Sequence, residues 1–314
     1  MHTPVLLLLF NRPDYAEVLL KRMESIPVSA VYIAIDGPRL SHPDDARQIG
    51  LVKKRVEETR FRTTKIYTLY QPENLGCRHG VKAALDWFFS KEERGIVLED
   101  DCIPDASFFP FCDTLLEKYA QDERVFAISG DNFLLDAVKI PESYYFSKYF
   151  HSWGWASWRR SWEKYDFEMK TFPDFIGKNK IDFYPCSEAE KSHWTAFYKD
   201  MRQRLDTINS WAYPFCYSVL NEQAVCIAPS KNLVYNIGFE GSATHTKQAP
   251  YWYHYVKTEP VTITSHPGVV AVNQVADQAD FDFTVRRMYS PPYIKRIRLK
   301  IRQLMGTLNI SHKD

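Results

Sequence analysis

The chain has no excess of charge of either sign. Forty Lys and Arg against 39 Asp and Glu leave a formal charge of +1, so no bulk basic field is available to hold nucleic acid, and an ionic partner must be met by a local cluster. No run is long enough to span a bilayer. The most apolar stretch, Val5-Leu6-Leu7-Leu8-Leu9-Phe10, also lacks the basic start and small-residue cleavage site of a secretion signal, and it reads as a buried strand. The six cysteines, Cys77, Cys102, Cys112, Cys186, Cys216 and Cys226, include no CxxC pair. That argues against a secreted disulfide scaffold and against zinc, and fits reduced thiols in a cytosolic protein. Neither an internal repeat nor a low-complexity linker interrupts the chain.

Apolar residues are plentiful. At 314 residues, 45% hydrophobic and 15% aromatic, the chain can bury the core of one large α/β domain or two small ones. The economical reading is one domain over 1–285, with a nucleotide-binding half (1–130) and an elaborated second half (131–285), followed by a terminal segment (286–314). Many aromatics fall in the second half, among them Tyr144, Tyr145, Phe146, Trp153, Trp155, Trp158 and Trp162. Rings can cover the C–H faces of sugars, although a core of large residues accounts for most of them.

The first 130 residues repeat a strand, turn and helix rhythm that predicts a mostly parallel sheet flanked by helices. Val5–Phe10 leads to Asn11-Arg12-Pro13, where Pro13 suits a helix start. Val31–Ile35 ends at Asp36-Gly37-Pro38. A polar helix over Asp44–Glu58, a strand over Lys65–Tyr70 and a helix over Arg78–Ser90 follow. Strand Ile96–Leu98 then runs into Glu99-Asp100-Asp101. Phe108–Tyr119 reads as a helix and Val125–Ser129 as a further strand, after which the rhythm breaks. Since ligands bind at the carboxyl ends of parallel strands, Arg12, Asp36 and the three carboxylates should share one crevice.

Three consecutive carboxylates are hard to explain as packing, because crowded like charges repel and raise one another's pKa. A divalent ion resolves that conflict, and hard oxygen ligands suit Mg²⁺ or Mn²⁺. An acidic solvent turn is the bland alternative, weakened here because the run ends what should be a central strand.

Leu98-Glu99-Asp100-Asp101, followed by Ile103-Pro104-Asp105 and Phe108-Phe109, resembles the metal site of the GT-A glycosyltransferases, in particular the N-acetylglucosaminyltransferase I-like branch and its bacterial relatives. Arg78-His79, Gly154-Trp155, Cys226-Ile227-Ala228-Pro229 and Asn236-Ile237-Gly238 to Ala243-Thr244-His245 add looser matches, over about residues 4 to 246. The resemblance implies a GT-A, Rossmann-like fold with an acceptor-side second half, acting on a UDP-sugar. It implies Asp101 as metal ligand and Asp100 and Glu99 as contacts to the ribose or sugar. Asp36 would accept a hydrogen bond from the uracil N–H, and Arg12, Arg78 and His79 would face the nucleotide and its phosphates. His245 would reach the metal or diphosphate, and Trp153, Trp155, Trp211 and Tyr213 would meet the acceptor.

Inversion at the anomeric carbon needs a base, usually a carboxylate. The relatives carry Asp after the Trp that matches Trp211, where this chain has Ala212, whose methyl cannot accept a proton. Three readings stand: the Asp has been exchanged for Ala, natively or by design; Asp131 or Glu240 serves instead; or the protein binds carbohydrate or nucleotide without catalysing. The flanking Ser210-Trp211 and Tyr213 favour the first. A sugar nucleotidyltransferase should show a Gly-rich, basic loop after the first strand, and Asn11-Arg12-Pro13-Asp14 is not one.

Pro291-Pro292 precedes Tyr293–Leu308, where an apolar stripe runs beside Lys295, Arg296, Arg298, Lys300 and Arg302. Such a basic amphipathic helix either lies on an anionic membrane or docks on its own domain, two readings of equal standing. The first suits a lipid-linked or surface glycan acceptor at the inner face of a bacterial membrane.

Overall fold

The computed structural model describes residues 2–63, 65–135, 137–239, 253 and 256–286. Its first half alternates strand and helix: β1 (Val5–Leu9), α1 (Pro13–Glu24), β2 (Val31–Ile35), α2 (Asp45–Glu58), β3 (Ile66–Tyr70), α3 (Gly76–Lys91), β4 (Arg94–Glu99), β5 (Cys102–Pro104), α4 (Phe108–Lys118) and β6 (Val125–Ser129). The rest comprises β7 (Tyr144–Ser147), β8 (Trp155–Trp158), α5 (Arg159–Trp162), α6 (Phe172–Gly177), α7 (Glu188–Gln203), α8 (Ala212–Asn221), β9 (Val225–Pro229), β10 (Val234–Asn236) and α9 (Gln274–Asp280).

An eight-stranded sheet in the order β3-β2-β1-β4-β8-β6-β9-β7 forms the centre. Strands β3, β2, β1 and β4 are parallel neighbours, as the sequence rhythm predicts, because a parallel pair needs a crossover helix. The rhythm fails beyond β4 for a topological reason. Strand β8 slots antiparallel between β4 and β6, β9 lies parallel to β6, and β7 closes the far edge antiparallel to β9. The α/β class with a mostly parallel, helix-flanked sheet is therefore the observed one, and one sheet runs through both halves of the chain.

Both faces of this sheet are covered, so β1 is apolar at every position rather than alternating. The pleat sends Val5, Leu7 and Leu9 into a core shared with α1, α2 and α4, and Leu6 and Leu8 into a second core with α3 and α8. Strand β3 departs from this pattern, with Ile66, Tyr67 and Tyr70 exposed. Pro13 opens α1, Asp14 in its first turn and Lys21 and Arg22 in its last complement the helix dipole, and the strand end before it is fixed in direction. Among the described residues no helix is long and apolar enough to cross a membrane. The basic stripe Tyr293–Leu308 lies outside the described residues.

A buried ion cluster ties the second half to the sheet. Lys148, just after β7, reaches Glu190 of α7 at 2.9 Å and Asp277 of α9 at 3.1 Å, with all three side chains 1% exposed or less. Glu190 also completes the capping box with Ser187 that starts α7. Replacing one member leaves unpaired charge out of reach of water. Lys148→Met is expected to cost about 3–5 kcal/mol, read as a lower urea midpoint at unchanged slope. A loss below about 1 kcal/mol would mean that the cluster is solvated.

Candidate functional site

The carboxyl ends of β1, β2 and β4 open on a cleft of about 260 Å³, lined by Arg12, Asp36, Glu99, Asp100 and Asp101 together with Asn209, Asn236, Gly238 and Phe239. Its inner wall is apolar, with Leu8, Ala34, Leu69, Val81 and Ala84. The sequence placed the first five in one crevice because parallel strands deliver their ends to one edge.

Arg12 lies across the carboxylates. Its guanidinium pairs with Asp100 through Nε, at 3.2 Å, and Nη2, and reaches Asp101 Oδ2 from Nη1 at 3.1 Å. Burial works against the Arg12 charge, but Asp100 and Asp101 outweigh it and hold the group charged. One cation faces three acids. Glu99 is accordingly raised above the usual carboxylate range, first by burial and then by the charges of Asp101 and Asp100, while a hydrogen bond from Trp211 Nε1 at 3.2 Å offsets part of that rise. Burial also raises Asp100, with Arg12 acting in the opposite direction. Asp101 is the more open of the aspartates, its side chain 16% exposed against 4% for Asp100.

The chain returns to Asp101 from far along the sequence. Strand β10 pairs with β5, bringing Asn236 opposite Cys102, and the Ile237 N–H donates to the Asp101 carbonyl at 2.8 Å. Gly238 follows because nothing larger fits: a Cβ there would lie 2.6 Å from Asp101 Oδ2. Glu240 and His245, read from the sequence as fallback base and metal ligand, lie outside the described residues.

Several sequence-based assignments are corrected. Asp36 lines the cleft, but its carboxylate accepts from the N–H groups of Gly37, Leu75 and Gly76 and from Asn74 Nδ2, at 2.9 to 3.0 Å. With both oxygens so engaged it holds the loop before α3 in place from its position on the cleft lining. Arg78 is buried and donates to the carbonyls of Leu205 and Phe167, so it braces the second half and does not face the cleft. His79 is exposed and packs edge-on against Phe167, also away from the cleft lining. Trp155 and Trp211 are 0% and 2% exposed and stack at 5.3 Å, too enclosed to meet an acceptor. Trp153 is half-buried against Phe133 and Phe239, and exposed Tyr213 rests on Phe197. Ala212 is half-buried at the start of α8, next to the residue that touches Glu99.

Asp131 sits at 0% exposure, outside the cleft lining, so a base acting there would have no access to an acceptor. The N–H groups of Asp131 and Trp153 favour its charge without reaching hydrogen-bond geometry.

The site's neutral polar contacts come from Asn236, part of the Asn236-Ile237-Gly238 match, and from Asn209 and Asn74, which were missed in the sequence. Asn209 Oδ1 accepts the Arg78 N–H at 3.0 Å and lines the cleft. Its only signal is its place just before Ser210-Trp211, and a single Asn in a loop is otherwise unremarked. Among the described residues no three His, Cys, Asp or Glu side chains are grouped as a full metal-binding set.

No family model matches the chain, and no curated protein matches its sequence. Among solved structures it is similar to a UDP-glucose pyrophosphorylase complexed with UDP-glucose, at 9% identity and a TM-score of 0.36 over 75% of this chain and 93% of that chain. An apo UDP-glucose pyrophosphorylase gives 11% and 0.37 over 75% and 93%. A mannose-1-phosphate geranyltransferase from Thermus thermophilus gives 12% and 0.35 over 73% and 74%. Likeness at this level assigns neither an activity nor a residue role.

A buried carboxylate, Asp131, and a half-buried imidazole, His151, set a pH dependence. Burial pushes Asp131 up from 3.8 to about 7, with the His151 charge acting against it. His151 is raised from 6.5 to about 9, its burial outweighed by Asp280, which its Nε2 meets at 2.6 Å. Each binds its proton more tightly in the folded chain, so each contributes stability at low pH that is lost as pH rises, Asp131 between 3.8 and about 7 and His151 between 6.5 and about 9. Unfolding free energy measured against pH should therefore fall less steeply in the lower window for Asp131→Asn and in the upper window for His151→Gln. Parallel profiles for parent and variants would contradict this.

Proposed function

We propose that the chain is a metal-dependent, inverting glycosyltransferase that moves a sugar from a UDP-sugar to a glycan or lipid-linked glycan, with residue 212 at the position of its base. The observation that supports it most is the contact of Trp211 Nε1 with Glu99. It brings the neighbour of position 212 against a cleft carboxylate, although residue 212 itself is not among the lining residues, and this supports reading 212 as the base position.

The donor set fits a hard divalent ion that keeps places for phosphate oxygens, since such ions bind through one or two carboxylates plus substrate rather than a closed protein cage. Asp101, the more open aspartate, would hold Mn²⁺ or Mg²⁺, and His245 would join it from the segment that follows Phe239. When bound, the ion supplies neutralising charge for the diphosphate leaving group. Arg12, charged and held at the same edge, adds a second positive group where negative charge develops. The acceptor oxygen forms its bond to the anomeric carbon as the bond to the UDP oxygen breaks. UDP leaves with the electron pair, and a carboxylate at position 212, as in an Ala212→Asp chain, would take the acceptor proton. Ala212 supplies no such carboxylate, which favours one second reading, a protein of this fold that binds nucleotide or carbohydrate without turnover.

Calorimetry with UDP and with UDP-, GDP- and CMP-sugars, with and without Mn²⁺, should show metal-dependent binding confined to uridine nucleotides and lost in Asp101→Ala. Absence of any nucleotide binding would sink the donor-site reading. Ala212→Asp should raise sugar transfer, or UDP-sugar hydrolysis without acceptor, by at least about 100-fold. Unchanged turnover with intact nucleotide binding would move the non-catalytic reading to the front.

A further inference from the structure

Strand β3 ends the sheet and is not built like its neighbours. β1, β2, β4, β6 and β9 are buried at all or nearly all positions, whereas Ile66, Tyr67 and Tyr70 are 44%, 42% and 36% exposed. Sheet edges are normally blunted by an inward charge, a proline or a bulge. The sequence Ile66-Tyr67-Thr68-Leu69-Tyr70 has neither charge nor proline, and its register with β2 is regular along its whole length. Among the described residues no strand pairs with its outer side.

The free groups can be assigned. The Lys65 carbonyl accepts from Val31 and the Gln71 N–H donates to Ile35, so the odd-numbered residues turn their backbone polar groups toward β2. Ile66, Thr68 and Tyr70 therefore present theirs outward. An antiparallel partner centred on Thr68 would pair Thr68 with Thr68 and Ile66 with Tyr70, each pair exchanging both N–H to carbonyl bonds. On one face Ile66 would stand beside Tyr70, and on the other Tyr67 beside Leu69. The ends are of opposite charge, since Lys65 precedes the strand and Glu73 follows it, and an antiparallel copy sets each lysine toward the other chain's glutamate. A strand with this pattern is complementary to itself under a two-fold axis.

We propose that β3 is a self-association edge, through which two copies of this chain join their sheets antiparallel about Thr68. Leu69 of the same strand lines the cleft, so the joint would stiffen one wall of the site.

Sedimentation velocity of the full chain over a wide concentration range should show a monomer–dimer equilibrium. Thr68→Pro removes only an outward N–H and leaves the bonds to β2 intact, so it should weaken the dimer by about 100-fold or more while circular dichroism is unchanged. Ile66→Lys tests the same edge through its side chain. Hydrogen exchange should show the amides of Ile66, Thr68 and Tyr70 slowed at high concentration and released in Ile66→Lys. A parent chain that stays monomeric at every concentration, or folded variants that dimerise as well as the parent, would overturn the proposal. So would protection of these amides in a monomer, which would mean that another segment of the same chain covers the edge.

Discussion

The ion pairing of Arg12 with Asp100 and Asp101 holds the carboxyl ends of two neighbouring parallel strands, β1 and β4, together, and the cleft depends on it. Arg12 leaves β1 and the aspartates leave β4, neighbouring strands whose ends point the same way. Without a cation between them, three acids at the end of a buried strand would repel and lose solvation. With one cation, the cluster keeps an excess of negative charge. Glu99 and Asp100 respond by holding their protons more tightly than free carboxylates do. The charge of the cluster is thus divided between the Arg12 pairing and retained protons, and Asp101 is the aspartate left more open to the cleft.

The fold uses residues that resemble ligand contacts to fix this cluster in space. Asp36 stands at a strand end in the cleft and spends its acceptors on the turn leading into α3. Arg78, in that helix, spends its donors on carbonyls of the second half, and Asn209 returns a side-chain carbonyl to the Arg78 N–H. The cleft wall is thereby locked to the segment carrying Trp211 and position 212. Asp36 and Asn209 do this from the cleft lining and Arg78 from behind it, where its two terminal nitrogens are bonded and its buried Nε finds no acceptor.

The parallel half of the fold was legible because its signals are local: apolar runs at the β1 and β2 positions, Pro13 at a helix start, carboxylates directly after β4. Their convergence on one edge followed from topology alone. The second half was not legible, since β8 takes its place between β4 and β6 through pairings far apart in sequence, and Trp155-Ala156-Ser157-Trp158 carries no alternation to announce a strand buried on both faces. The roles of Asp36, Arg78, Trp155 and Trp211 escaped for a related reason. Residue type and strand-end position say that a group can contact a ligand, but whether its hydrogen-bonding capacity is already taken is decided by partners elsewhere in the chain.

Trp211 shows how such a residue serves a site from within the core. Its ring is stacked on Trp155 and packed against Phe215, while its one polar atom donates to Glu99. An indole buried on its apolar surface and bonded at its N–H has little freedom left, so the backbone on either side of it is fixed as well. Asn209 lies two residues before it on the cleft wall, and residue 212 begins α8 directly after it. A side chain placed at 212 inherits this rigidity, and its chemistry, a methyl or a carboxylate, can change while the frame that presents it stays the same. A change at 212 therefore alters the chemistry of one side chain, while the stacked indole beside it and its bond to Glu99 stay in place.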